Sequence, residues 1–104
     1  KLTAIFQPHL YTRTRDFYKD FADSLSLLDE VILLDIYPAR ELPIEGVTSK
    51  LIYNNLRPGI EKTMCHKEDL IELLKTKNIE VLITLGAGDV DNYVTPIYEL
   101  LKDR

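Results

Sequence analysis

Arg13 and Arg15 lie in the segment His-Leu-Tyr-Thr-Arg-Thr-Arg-Asp at positions 9–16, where a predicted helix begins. The amides and macrodipole at a helix start are positive, so a cation there is disfavoured by roughly 0.3–1 kcal/mol. No carboxylate follows Arg15 at helical spacing, because its i+3 and i+4 neighbours are Tyr18 and Lys19. Two interpretations stay open: one guanidinium, with Arg13 the better placed, binds a carboxylate or phosphate with help from the helix-start amides, or both arginines are solvated.

The other candidate side chains follow predicted strands. They are Gln7-Pro8-His9, Asp35-Ile36-Tyr37, Cys65-His66 and Gly86-Ala87-Gly88-Asp89. Because open parallel α/β sheets bind ligands beyond the carboxyl ends of their strands, we expect these residues to form one rim. His9 is predicted to be either a hydrogen-bonding or acid–base group there or a structural histidine, and His66 to be a surface residue at a helix start.

The glycines at 86 and 88 follow a strand, as they do in nucleotide-binding turns. Asp91, however, stands where the GxGxxG pattern requires glycine, and Asp89 would repel phosphate. A tight strand-to-helix connection is the favoured interpretation. The sequence contains no GxxxxGK[ST] loop for ATP and no CxxC or HExxH spacing for a metal ion.

Alternating strands and helices must position these residues. Hydrophobic runs predict strands at 2–6, 31–36 and 81–85, the last being the clearest buried strand, and a weaker signal predicts a short strand at 62–65. Helical periodicity predicts a first helix of about fifteen residues, which is capped by Thr12 or Thr14 and buries Phe17. Three further helices are predicted at 48–56, 67–77 and 90–101. Asn78 is the predicted C-cap of the third helix, and Pro96 is expected to kink the fourth helix or delay its start. This order predicts a Rossmann-like three-layer α/β domain with a mainly parallel sheet flanked by helices.

Composition and net charge argue against several classes of partner. The 104 residues, 45% of them hydrophobic, make one domain over 1–104, and the net charge of −4 argues against a nucleic-acid partner. The run Val31 to Leu34 is too short to cross a membrane, and the lone Cys65, predicted to be semi-buried and unreactive, suggests a reducing cytoplasm. An apolar segment follows Lys1 directly, so we expect a domain excised from a longer polypeptide.

The segment Phe6-Gln7-Pro8-His9, followed by Tyr-Thr-Arg-Thr-Arg-Asp at 11–16, resembles the C-terminal domain of the Mur ligases. The resemblance continues through Phe21-Ala22, Asp-Ile-Tyr-Pro-Ala at 35–39, Pro43-Ile44 and the glycines at 86 and 88, and so covers nearly the whole chain. It implies a three-domain, cytoplasmic bacterial enzyme of peptidoglycan precursor synthesis. The N-terminal domain would bind the UDP-sugar, and a central P-loop domain would bind ATP and Mg²⁺. This C-terminal domain would bind the amino acid.

The resemblance also implies a reaction. The enzyme would phosphorylate the lactyl carboxylate of UDP-N-acetylmuramate, and the amine of L-alanine would attack the acyl phosphate to give an amide, ADP and phosphate. Closure of the C-terminal domain would complete the site. The isolated chain is therefore expected to fold, to be inactive, and to hold no cofactor or metal ion of its own.

His9 and Arg13 match the family residues at the amino-acid site. Arg13 would bind the alanine carboxylate, and His9 would line the site and help to orient the amine. Further candidate substrate-binding residues are Tyr11, Arg15, Asp35, Tyr37, Gly86, Ala87, Gly88 and Asp89. The family usually carries Arg where this chain has Leu10, so the choice among alanine, glycine and serine stays open.

A non-catalytic, flavodoxin-like or receiver-type module is the alternative function. Its motivation is the size of the chain and the placement of Asp35 at a strand end. A receiver needs an acidic pair after its first strand to hold Mg²⁺, and that position here reads Gln7-Pro8-His9. The sequence therefore favours the ligase interpretation.

Overall fold

The computed structural model describes residues 1–86 and 92–102, in which strands and helices alternate as the sequence predicts. The elements are β1 (Leu2–Gln7), α1 (Tyr11–Leu25), β2 (Glu30–Leu33), α2 (Lys50–Asn55), β3 (Glu61–Met64), a 3₁₀ turn (Lys67–Asp69) that leads into α3 (Leu70–Lys75), β4 (Val81–Gly86) and α4 (Val94–Leu101). Pro96 lies in the first turn of α4, so its predicted effect is a delayed helix start.

The four described strands form one parallel sheet in the order β3-β2-β1-β4. In register, Phe6 of β1 lies between Leu33 of β2 and Leu85 of β4, and Gln7 pairs with Gly86. All four strands therefore end at the same side of the sheet, called here the carboxyl edge. The predicted parallel α/β class is confirmed.

Helices cover both faces of the sheet. Because side chains alternate along β2, Val31 and Leu33 pack into one core with α1 and α2, whereas Ile32 packs into the other with α3 and α4. All four residues of β2 are buried, as expected for a strand between two helical layers. Each such aliphatic side chain contributes about 1.5–3 kcal/mol through burial, so the two cores stabilise the sheet that carries the edge.

The prediction that β4 is a buried strand is wrong. In the described residues β4 lies at the end of the sheet, and its Val81 and Leu85 are 54% and 39% exposed. An apolar, β-branched run predicts a strand, but its position in the sheet depends on pairing partners that the run does not encode.

The start of α1 also differs from the prediction. The helix begins at Tyr11, and Leu10 occupies the N-cap position with φ of +69° and no side-chain cap. Thr14 lies inside the helix, where its hydroxyl donates to the Leu10 carbonyl at 2.9 Å, and so it is not a cap. Phe17, expected in the buried stripe, is 49% exposed, whereas Ala22 and Leu25 of the same helix are buried.

Two further boundaries shift by a few residues. β2 ends at Leu33, whereas the predicted strand extends to Ile36. Helix α3 ends at Lys75 with Thr76 as its C-cap, so the prediction of Asn78 in that role is wrong.

Candidate functional site

The segments that follow β1 and β2 are joined at the carboxyl edge. His9 and Tyr37 form an isolated parallel bridge beyond the named strands, in which the Tyr37 amide donates to the Pro8 carbonyl at 2.8 Å and the Leu10 amide to the Tyr37 carbonyl at 2.9 Å. The His9 and Tyr37 rings stack, with centroids 5.9 Å apart and planes at 21°. His9 is thereby held on ordered backbone.

His9 and Arg13 line one cavity of about 190 Å³, together with Phe6, Gln7, Phe21 and Gly86. We call it the His9–Arg13 cavity. The Phe6 and Phe21 rings pack beside each other, with centroids 5.4 Å apart. Arg13 is exposed and makes no ion pair within residues 1–86 and 92–102. A guanidinium and an imidazole thus share an opening in which an anionic ligand could accept paired hydrogen bonds.

Gly86 closes this cavity from β4, beside the neighbouring strand β1. Its φ is +130°, and a Cβ at this position would collide with the Gln7 carbonyl oxygen. Glycine is therefore required both for the backbone angle and for the close approach of the two strands. The predicted candidates Ala87, Gly88 and Asp89 lie outside the described residues.

The carboxylate of Glu41 lies at the start of α1, although no local sequence pattern predicts it there. One carboxylate oxygen accepts from the amides of Tyr11 (2.5 Å) and Thr12 (3.2 Å), and the other accepts from the Thr12 hydroxyl at 2.6 Å. The Thr12 hydroxyl, and then the two amides, lower the pKa of Glu41. The Tyr11 and Thr12 amides, which could have assisted an external anion, therefore already donate to an internal carboxylate.

Arg15 has a carboxylate partner after all. Its Nε donates to Oδ1 of Asp16 at 2.9 Å, and Nη2 donates to Oδ2 at 3.3 Å. These bonds raise the pKa of Arg15 and lower that of Asp16. Helical i+3 and i+4 spacing does not predict this pair, because Asp16 is the next residue in the sequence. Of the two arginines, Arg13 is the one at the cavity.

A larger cleft of about 440 Å³ lies over the ends of β2 and β3. Its lining includes Asp35, Ser49, Lys50, Cys65 and His66. His66 Nδ1 lies 2.5 Å from a carboxylate oxygen of Asp35, and this hydrogen bond raises the pKa of His66. The histidine side chain is 70% exposed at the start of the 3₁₀ turn, which confirms the predicted surface placement. Cys65 is semi-buried as predicted, and burial raises its pKa to about 11, which keeps the thiol protonated near neutral pH.

Tyr11 and Asp35 line a third depression, of about 290 Å³, on the same side as this cleft. The predicted rim is thus divided. His9, Arg13 and Gly86 share one cavity, Tyr37 contacts it by stacking on His9, and Tyr11 and Asp35 lie apart from it.

Residues 1–86 and 92–102 include no group of three His, Cys, Asp or Glu side chains arranged to hold a metal ion. In the same part of the chain, no helix has both the length and the apolar character needed to cross a membrane.

The chain is similar to segments of three curated bacterial proteins, each named UDP-N-acetylmuramate–L-alanine ligase. It is 77% identical over 104 residues to that of Phocaeicola vulgatus, 56% over 101 residues to that of Parabacteroides distasonis, and 51% over 104 residues to that of Cytophaga hutchinsonii. These matches cover 100%, 97% and 100% of this chain. The chain belongs to the UDP-N-acetylmuramate–L-alanine ligase family.

Membership of the UDP-N-acetylmuramate–L-alanine ligase family confirms the resemblance inferred from residues 6–16. No protein-family model matches the chain. It spans 22–23% of the length of these ligases. Nothing in the comparisons favours a receiver-type module.

Proposed function

We propose that this chain is the C-terminal, amino-acid-binding domain of an ATP-dependent amide ligase that joins L-alanine to UDP-N-acetylmuramate through an acyl phosphate. The enzyme acts in the bacterial cytoplasm, in peptidoglycan precursor synthesis. Domain 1–104 carries the alanine site, and the remaining polypeptide carries the sites for UDP-N-acetylmuramate, ATP and Mg²⁺. The observation that carries the proposal is the placement of Arg13 beside His9 in one cavity at the carboxyl edge.

The chemistry of the His9–Arg13 cavity suits a small amino acid. Arg13 has a planar fork of donors that matches a carboxylate, and it makes no ion pair within residues 1–86 and 92–102. His9, held by its bridge to Tyr37, lies at the same opening and orients the amine. The contribution of this chain is positioning, because an acyl phosphate is already a reactive electrophile and the amine needs only to be held near it.

The described residues offer no site that fits ATP or Mg²⁺. The sequence lacks a GxxxxGK[ST] loop, and no cluster of three metal-ligating side chains occurs in the described ranges 1–86 and 92–102. We therefore assign no step with either group to residues 1–104.

The test is substitution of Arg13 in the full-length protein. Arg13→Ala removes a charge-assisted contact worth roughly 1.5–3 kcal/mol, so the KM for L-alanine should rise by about 10- to 100-fold. The KM for ATP should stay near its wild-type value, because the substitution lies in the amino-acid site. Steady-state phosphate release at varied alanine and varied ATP measures both constants.

Arg15→Ala provides the matched comparison. It removes the same charge two residues along the same helix, but from a guanidinium bonded to Asp16. It should leave the alanine KM almost unchanged. If Arg13→Ala also left that constant unchanged, the proposed alanine site would be wrong.

A further inference from the structure

Helix α1 has no cap from its own sequence. Leu10 stands at the N-cap without a side-chain hydrogen bond, and the first turn contains no acidic residue. The first amides of a helix have no partner within it, and a negative charge beside them is favourable. Here the first turn instead carries Arg13, so both the amides and the charge balance depend on a group from elsewhere in the fold.

Glu41 supplies that group from the loop that follows β2. Its three hydrogen bonds to Tyr11 and Thr12 bridge about thirty residues of sequence. A tight turn in this loop places the Glu41 carboxylate at the helix start. In this turn Ala39 has φ of +52°, and the Glu41 amide donates to the Pro38 carbonyl at 2.9 Å. A few residues earlier, the same loop forms the bridge between Tyr37 and His9.

We propose that Glu41 is a positioning residue for the amino-acid site. Its carboxylate fixes the first turn of α1, and that turn holds Arg13 at the His9–Arg13 cavity. The inference rests on the proposed function, since it gives Glu41 a role through Arg13. Because Glu41 already accepts hydrogen bonds from the Tyr11 and Thr12 amides, a substrate carboxylate binds the Arg13 guanidinium and not these helix-start amides.

The experiment compares Glu41→Gln with wild type in the full-length ligase. Glutamine keeps the side-chain length, but it loses the charge and presents an NH₂ group that cannot accept from the Thr12 hydroxyl. The alanine KM should rise by about 5- to 30-fold, the change that loss of a helix cap makes to an equilibrium. The KM for ATP and the kcat at saturating alanine should not change.

Glu45→Gln is the matched control. Glu45 is exposed on the same loop, so its substitution removes the same charge and should leave every constant near wild type. If Glu41→Gln unfolds at a lower temperature than this control, Thr12→Val provides a milder variant that removes only the hydroxyl donor. It should raise the alanine KM in the same direction by a smaller factor.

A double variant separates positioning from a general structural effect. If Glu41 acts through Arg13, Glu41→Gln combined with Arg13→Ala should raise the alanine KM no further than Arg13→Ala alone. Additive losses, an equal rise in the KM of all substrates, or an unchanged alanine KM in Glu41→Gln would each overturn the proposal. An unchanged alanine KM in Arg13→Ala would instead refute the proposed function, so the two failures are distinguishable.

Discussion

Glu30 places a carboxylate on a buried position of β2, at the end of the sheet opposite the candidate site. Its side chain is 1% exposed, and Lys77 Nζ lies 2.7 Å from one of its oxygens. The Thr3 hydroxyl donates to the other oxygen at 3.1 Å, and Lys1 Nζ lies 3.6 Å away. Burial opposes ionisation, but Lys77, Thr3 and Lys1 together outweigh it and lower the pKa of Glu30.

Lys77→Met should destabilise the chain by about 3 kcal/mol at pH 7, because it leaves a buried carboxylate with a weaker set of partners. Since the folded pKa of Glu30 lies below its ordinary value of 4.5, the stabilisation is complete above that pH and is lost as pH falls through the folded pKa. The difference between variant and wild type should therefore shrink in acid. Urea unfolding at pH 7 and at lower pH measures it.

Lys75→Met serves as the control for this ion pair. Lys75 pairs with Glu72, whose side chain is 75% exposed, and such pairs contribute little. A loss in Lys77→Met no larger than that in Lys75→Met would show that Glu30 does not depend on its lysine.

At the scale of single elements, β1 and β4 approach each other closely at their carboxyl ends, where Gly86 pairs with Gln7. Gly86→Ala should destabilise the chain by more than about 1 kcal/mol, since the new Cβ meets backbone that cannot move aside and φ is +130°. The strand end would have to shift, and with it one wall of the His9–Arg13 cavity. Urea unfolding of this variant, with the amide chemical shifts of Gln7 and His9, measures both effects.

Gly59→Ala is the comparison for the backbone angle alone. Gly59 has φ of +86°, and a Cβ at this position would meet no atom within 4 Å, so its substitution carries strain without a collision. It should cost less stability than Gly86→Ala and leave the amide shifts of Gln7 and His9 in place. Equal losses in the two variants would mean that close strand approach at Gly86 contributes nothing.

The sequence predicted the elements well where local signals decide them. Apolar runs located β1, β2 and β4, whereas β3 (Glu-Lys-Thr-Met) had only a weak signal, and Pro8 and Pro96 correctly marked a strand end and a late helix start. The exposed edge position of β4 was not predictable, because an apolar run does not record which strands flank it. The cap of α1 was not predictable either, since Glu41 lies about thirty residues away in a loop without a periodic pattern.

At the scale of the whole molecule, parallel strands made part of the site predictable. Their shared direction brings His9, Tyr37 and Gly86 to one edge, as expected from strand ends alone. The division of that edge into separate cavities depends on how α1 and the loop after β2 pack, which strand ends do not determine. Likewise, the pairing of Arg15 with its sequence neighbour Asp16 depends on side-chain conformation.

At the same scale, the structure predicts how strongly the isolated residues 1–104 bind L-alanine and whether they hydrolyse ATP. They supply one guanidinium and one imidazole at an open cavity, and a single charge-assisted contact is worth roughly 1.5–3 kcal/mol. A Kd of 1 mM requires about 4.1 kcal/mol, so the isolated chain should bind L-alanine more weakly than that. With no phosphate-binding loop in the sequence, it should release no phosphate from ATP, even with UDP-N-acetylmuramate and alanine present.

An NMR titration of the isolated chain distinguishes this weak site from none. L-Alanine should shift the Arg13 Nε and His9 ring signals without saturating at about 1 mM, whereas ethylamine, which lacks the carboxylate, should leave the Arg13 signal in place. Saturation well below that concentration would mean that this chain carries a complete amino-acid site. Ligation by the chain alone would refute the division of labour proposed here, since the acyl phosphate would then have to form on residues 1–104.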